Sequence, residues 1–235
     1  MSTIASTVFV VDTDTTVQHE LAAIVRTAGW TCKVLESAEL LFTYPALTTP
    51  SCVIIDIGLF DDGNLDLLRR LAVERNETAI VAMGKNGVIP MIVQVMRAGA
   101  AEFLLKPLAN DALLTAIHYA LSRSRTVLDQ TTVRREIRTR YCSLSRREQQ
   151  VMMRVVAGDL NKRIGAALGI SEITVKAHRG KVMRKMRAAS VAELVAMALR
   201  AELATAPTVT PLFAGGPWSG RSSIGDRTRA ALRLA

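Results

Sequence analysis

The chain has 235 residues, 49% of them hydrophobic and 22% charged, with 30 Lys and Arg against 21 Asp and Glu for a net charge of +9. Aromatics make up only 4%, so a globular core must be aliphatic. No run is long and apolar enough to span a bilayer, and no basic segment followed by an apolar stretch opens the chain, which argues against a membrane protein and against export.

The charge is unevenly spread. Residues 1–125 hold 10 Lys and Arg against 13 Asp and Glu, whereas residues 126–235 hold 20 against 8. An acidic half joined to a basic half predicts two domains, the second facing a polyanion. Nucleic acid is the first candidate and an anionic membrane surface the second. Cys32, Cys52 and Cys142 are odd in number and share no metal-ligand spacing. They predict reduced thiols in the cytoplasm, with redox sensing by Cys142 as the alternative.

Short apolar strands are predicted over residues 7–12, 31–36, 51–57, 79–83 and 101–105. Between them lie segments with helical spacing. Val17, Leu21, Ile24, Val25 and Ala28 make one stripe, Leu65, Leu67, Leu68 and Leu71 another, and Leu113, Leu114, Ile117 and Leu121 a third. Gly29 and Gly99 stand where helices should stop. Five strands alternating with five helices predict an α/β fold, a doubly wound five-stranded parallel sheet covered on both faces. Ligands of such sheets bind beyond the carboxyl ends of the strands. Asp12 ends the first strand, Asp56 lies near the end of the third, and Lys106 follows the fifth, so two carboxylates and an ammonium converge at one edge. That group suits a hard cation and a phosphoryl group, or equally an ion-paired strand edge. No G-x-G-x-x-G follows the first strand, which disfavours a dinucleotide enzyme.

Residues 4–122 resemble the receiver domain of two-component response regulators, through the βα alternation, Asp12, Asp56, Lys106–Pro107 and the segment MRAGAAEFLLKP. The resemblance implies a flavodoxin-like receiver in which Asp56 accepts a phosphoryl group from a histidine kinase. It implies that Lys106 contacts the phosphate, that the peptide before Pro107 is cis, and that Phe103 is the aromatic that rotates on activation. Three departures stand against these roles. The pattern has a second acid after Asp12 that binds Mg²⁺ directly, and here that position is Thr13, with Asp14 one residue off register. The hydroxyl at the end of the fourth strand is read as replaced by Met83, whose thioether cannot donate a hydrogen bond. Leu59–Phe60 follows where a Met-Pro pair is usual. Weak Mg²⁺ binding, with Asp12 and Asp56 as the only candidate ligands, and a degenerate receiver are therefore expected.

In the fourth helix Ile89, Ile92, Val93 and Met96 form one stripe, expected to face the sheet. Val88, Met91 and Val95 form a second, expected either to deepen burial or to meet a partner. Receivers of this type often dimerise through this helix and the strand and helix after it, so Val88, Met91 and Val95 are the expected interface of a homodimer.

Residues 123–142 are polar, basic and free of Gly and Pro. They are expected to continue the fifth receiver helix as a solvated linker. Residues 143–203 read as an all-α domain of four short helices. Val151, Met152, Val155 and Val156 lie on the first. Ile164, Ala167 and Leu168 lie on the second, and Val175, Val182 and Met186 on the third, which Ser171 can cap. Ser190 and Glu193 form a capping box for the last. Two short helices around a GIS turn suggest helix-turn-helix. Lys176, Arg179, Lys181, Arg184, Lys185 and Arg187 make the third helix a cationic rod, suited to a major groove or simply to solvent.

The stretch LSRREQQVMMRVVAGDLNKRIGAALGISEITVKAHRGKVMRKM resembles the LuxR-type DNA-binding domain, through Leu144, Ser145, Glu148, Gly158, Asn161, Lys162, Ile164, Gly165, Thr174, Val175, Lys176, His178 and Arg179. By position, Lys176, Ala177 and Gly180 should face base edges. Lys162, His178, Arg179, Lys181 and Arg184 should meet phosphates, with His178 equally readable as a packed helix residue. Receiver, helical linker and LuxR-type domain together match the FixJ and NarL group. Residues 204–235 lie outside any resemblance, and their Pro, Gly, Ser and Thr content predicts a disordered tail.

The expectation is therefore a cytoplasmic, non-enzymatic transcription regulator that binds two-fold symmetric double-stranded DNA as a dimer and acts independently of phosphorylation. A conventional switch controlled by a histidine kinase or another regulatory protein is one alternative. A small phosphotransfer or metal-dependent enzyme is the alternative of another class.

Overall fold

Five segments, four of them carrying β-branched residues, pair as a parallel sheet: β1 (Thr7–Val11), β2 (Thr31–Leu35), β3 (Ser51–Asp56), β4 (Thr78–Gly84) and β5 (Glu102–Leu105). Their order is β2-β1-β3-β4-β5. The three central strands are buried on both faces, which is why they read as unbroken apolar runs rather than alternating ones. Strand order reverses beside β1, so the carboxyl ends of β1 and β3 flank the crevice where such sheets bind ligands. In this computed structural model residues 6–59, 65–85 and 89–203 are described, and the chain divides between Ser145 and Arg146 into two compact units.

In the first unit, α1 (Thr15–Thr27) and the N-terminal part of α4 (Asn110–Cys142) cover one sheet face. Leu21, Val25, Leu113 and Ile117 pack there against Val8, Val10, Ile54, Val81 and Met83. On the other face, Leu68 of α2 (Asp66–Glu74) and Val95 of α3 (Ile89–Arg97) pack against Phe9, Val11, Ile55 and Ile80. This is the doubly wound, flavodoxin-like sheet expected from the sequence.

Two expectations need correction. Between β2 and β3 there is no α-helix, only a 3-10 turn over Ala38–Thr43. Pro45 and Pro50 leave too little uninterrupted chain for a full helix. The extended stretch that follows is fastened by Arg75, whose guanidinium donates to the Tyr44 carbonyl at 2.6 Å and the Pro45 carbonyl at 3.3 Å.

The second correction concerns the two stripes of α3. Val95 is fully buried and Met91 is half-buried against the core, so the stripe taken as the dimer interface is the one that faces the sheet. Ile89, Val93 and Met96, expected to face the sheet, are 75%, 42% and 39% exposed. Val88 lies outside the described residues. Both stripes have the same spacing, and the end of the helix decides between them. A Cβ on Gly99 would overlap Ala72, so the small residues Ala98 and Gly99 seat this end directly on the α2 connection and turn Val95 inward.

The last helix of the unit, α4, runs unbroken for 33 residues. Its buried Ser124 accepts the Ser51 N–H at 2.9 Å and donates to the Glu77 carbonyl, tying the helix to the starts of β3 and β4.

The second unit holds α5 (Arg146–Val156), α6 (Asn161–Leu168), α7 (Glu172–Met186) and α8 (Val191–Arg200). Met152, Ile164, Val175, Met186 and Leu194 are buried in it. Ser171 and Ser190 accept the N–H groups of Thr174 and Glu193 at 3.1 Å each, capping α7 and α8. Gly169 ends α6 in the left-handed conformation, and a Cβ on Gly165 would stand 2.7 Å from the Ile170 carbonyl oxygen. The tight turn between α6 and α7 thus needs glycine on both sides of its contact. Among the described residues no helix is long and apolar enough to cross a membrane. Residues 204–235 fall outside the description.

Candidate acidic pocket and nucleic-acid interface

At the carboxyl edge of the sheet the three charged residues meet. Lys106 Nζ donates to Asp12 Oδ2 at 2.7 Å and to Asp56 Oδ2 at 2.6 Å. All three side chains are largely removed from water, Asp12 almost wholly so. Burial alone would lower the Lys106 pKa, but the hydrogen bonds to Asp12 and Asp56, with both their charges, outweigh it and hold the ammonium above the ordinary lysine range. The second oxygen of each carboxylate is used locally: Asp12 Oδ1 accepts the Asp14 N–H at 2.8 Å and Asp56 Oδ1 the Gly58 N–H at 2.9 Å. The Lys106–Pro107 peptide is cis.

Asp14 does not enter this group. It is the N-cap of α1 and accepts the Thr16 N–H at 2.9 Å. That hydrogen bond is the main cause of its lowered pKa. Thr13 is exposed and brings no carboxylate. Among the described residues no three His, Cys, Asp or Glu side chains come together as a metal cluster. A site for Mg²⁺, which prefers several oxygen ligands and charged ones among them, would have to take Asp12 and Asp56 away from Lys106. The donor set present does not fit that ion.

Met83 requires a correction. It was expected at the pocket, but its side chain is fully buried among Val8, Val10, Leu113 and Ile117. Phe103 lies on the opposite sheet face, where it packs, as Ile57 and Met91 do, against the other core. The strand position adjoining both is Gly84: a Cβ there would sit 2.8 Å from Ile57 Cγ1 and 3.4 Å from Phe103 Cζ. Period-two alternation places neighbouring residues on opposite faces, so the error was one of register. The pocket still lacks a hydroxyl at this point, because Gly84 has no side chain.

In the second unit α7 buries Val175, Val182 and Met186 and turns Lys176, Ala177, Gly180, Lys181 and Arg184 to solvent, with Lys162 exposed on α6. The cationic rod is less free than its sequence suggests. Arg179 donates to Asn161 Oδ1 at 2.6 Å, across from α7 to α6. Lys185 pairs with the buried Glu148 of α5 at 2.7 Å. Both cations position the recognition helix. His178 is half-buried, and its Nδ1 has no hydrogen-bond partner among the described residues. Lys176 Nζ lies 3.7 Å from Glu172 in an exposed pair, the kind that contributes little to stability and is readily given up. One outward residue escaped the reading by charge. Ile173 is 80% exposed in the first turn of α7. Its signal in the sequence is an apolar residue two positions from Val175, and so on the opposite side of the helix.

The three thiols are free, with Cys52 buried and Cys142 exposed.

Residues 8–118 match the family model for the response regulator receiver domain, and residues 142–198 match that for bacterial regulatory proteins of the luxR family. The chain is 36% identical over 204 residues to the transcriptional regulatory protein FixJ of Azorhizobium caulinodans, covering 87% of this chain and 97% of that protein. It is 36% identical over 190 residues to the response regulator protein TmoT of Ectopseudomonas mendocina, covering 81% and 86%. Among solved structures it is similar to the response regulator StyR, with a TM-score of 0.67 and 33% identity over 83% of this chain and 99% of that one.

Proposed function

Because the chain belongs to the FixJ/NarL-type response regulators, DNA-binding transcription regulators that join a receiver to a LuxR-type helix-turn-helix domain, we propose that it binds two-fold symmetric DNA as a homodimer without needing phosphorylation at Asp56. Membership of this family sets aside the enzyme reading. The protein works in the cytoplasm, on duplex DNA.

One observation carries the phosphorylation-independent reading. Lys106 already holds both pocket carboxylates, at 2.7 and 2.6 Å, while Thr13 offers no third and Asp14 is committed to capping α1. A pocket closed on its own lysine binds Mg²⁺ weakly and leaves little to organise phosphoryl transfer. The dimer surface supported by the fold is the exposed stripe Ile89, Val93 and Met96 of α3, next to Leu105 on the edge strand β5. It replaces the stripe read from sequence.

A second reading keeps Asp56 as a phosphoacceptor served by a histidine kinase. It is favoured by the Asp56–Lys106 contact and by the 13% exposure of the Asp56 side chain, which leaves a route for a donor. A gel shift of the full chain with acetyl phosphate and Mg²⁺ decides between the two. The expected result is unchanged DNA affinity, with Asp56→Ala matching wild type. Stoichiometric phosphate on Asp56 accompanied by tighter binding would establish the conventional switch instead.

A further inference from the structure

We infer that Ile173 reads the 5-methyl group of a thymine in each DNA half-site, so that an apolar contact stands beside the polar readout of this helix. The inference rests on α7 being the recognition helix. Ile173 is 80% exposed, the most exposed large apolar side chain among the described residues. At 3.6 residues per turn, Gly180 and Arg184 fall within about 20° of Ile173 round the helix, and Lys176 and Ala177 flank that line at about 60° and 40° on either side. The outward line of α7 therefore runs Ile173, Lys176 and Ala177, Gly180, Arg184. Only Lys176 and Arg184 on it can hydrogen-bond.

The line is rigid and unobstructed. Ser171 caps the first turn through the Thr174 N–H at 3.1 Å, with the two hydroxyls 2.8 Å apart. Ile173 is β-branched and so nearly fixed at its first torsion in a helix. A Cβ on Gly180 would meet nothing within 4 Å, so packing does not require glycine there. Glycine inside a helix is less stable than alanine. Its benefit is a bare backbone that lets the helix sit deeper, which brings Ile173 to base level.

The partner follows from chemistry. In the major groove the thymine methyl is the one apolar group that base edges present. An isoleucine has no donor or acceptor with which to read anything else. The cations around it, Lys176, Lys181 and Arg184, are exposed and suit phosphates and purine edges rather than an apolar protein surface.

The test uses the full-length protein and a duplex that it selects from a random pool. Half-site thymines are then replaced by 2′-deoxyuridine, which removes the methyl and keeps every hydrogen-bonding group. Wild type should lose about fourfold in affinity for each contacted methyl, the equivalent of one buried CH₂. Ile173→Ala should bind both duplexes alike with an unchanged salt dependence, and Ile173→Val should keep the difference. Equal affinity of wild type for the two duplexes overturns the inference, as does an Ile173→Ala protein that still discriminates, which would pass the contact to Ala177. Failure to enrich any duplex would overturn the DNA-binding reading itself, and this inference with it.

Discussion

Met83 and Phe103 face opposite sides of the sheet, the first buried against α1 and α4, the second packed against the core that holds Phe9, Ile55 and Val95. Met83 therefore does not lie between the acidic pocket and Phe103. The residue that adjoins both Phe103 and Ile57, the neighbour of Asp56, is Gly84. Restoring a phosphorylatable switch therefore calls for Thr13→Asp with Gly84→Thr, and with Ile57→Ala to clear the 2.8 Å contact that a Cβ would meet. This triple variant should incorporate phosphate from acetyl phosphate where wild type does not, measured by intact mass. Met83→Thr should give no phosphate. It should lower stability by about 2–4 kcal/mol in urea denaturation, since it removes core volume and buries a hydroxyl. Phosphate on wild type at the level of the triple variant would refute the degenerate reading.

The pocket triad carries one positive and two negative charges, so its members are not equivalent. Asp56→Ala leaves the Asp12–Lys106 pair intact and uncharged overall, and should cost far less than removal of the lysine. Lys106→Met leaves two carboxylates facing each other out of water, and should cost about 3 kcal/mol at neutral pH. The pH dependence has a definite sign. The folded-state pKa of Lys106 lies above its unfolded value, so its contribution is complete at neutral pH and is lost only as pH rises through the alkaline range beyond the ordinary lysine pKa. Urea midpoints of wild type and Lys106→Met should therefore stay apart through neutral pH and converge in strong alkali. Convergence between pH 6 and 8 would show that the triad does not hold the charge ascribed to it.

The reversed stripes of α3 separate two variants that sequence alone would treat alike. Val93→Arg, on the exposed side, should yield a folded monomer in sedimentation. Val95→Arg, at a fully buried position, should unfold the first unit. A folded, monomeric Val95→Arg would restore the sequence-based assignment, and a wild type already monomeric at micromolar concentration would remove the interface altogether.

For DNA, a base contact by Lys176 would cost only its weak 3.7 Å pair with Glu172. Lys176→Ala should weaken specific binding by about 1–3 kcal/mol. Contacts to about six to ten phosphates per dimer should lower affinity by about three to five decades between 50 and 200 mM salt. Equal loss on specific and random duplexes would reassign Lys176 to the backbone. Lys185→Ala should instead lower thermal stability, because its ammonium serves the buried Glu148.

Strand position, and element type everywhere but between β2 and β3, were legible because long apolar runs and helical stripes leave few choices. The receiver fold and the four helices of the second unit follow from them. Facing was less legible. Two stripes of equal spacing on α3 differ only through the fit of Gly99 against Ala72, a contact between residues distant in sequence. Met83 and Gly84 are adjacent, and a shift of one residue exchanges sheet faces. Charge also misled on α7, where Arg179 and Lys185 are spent on Asn161 and Glu148, partners 18 and 37 residues away.

Ser124 bears on where this protein can be cut. Its hydroxyl accepts the first N–H of β3 and donates a hydrogen bond to the carbonyl that precedes β4. A fragment ending at residue 122, where the receiver pattern stops, would leave both strand starts without this partner and expose a buried donor at a cost of about 1–3 kcal/mol. A fragment carried a turn past Ser124 keeps the latch. The first helical turn of the apparent linker is thus receiver in its physics, and an autonomous receiver has to include it.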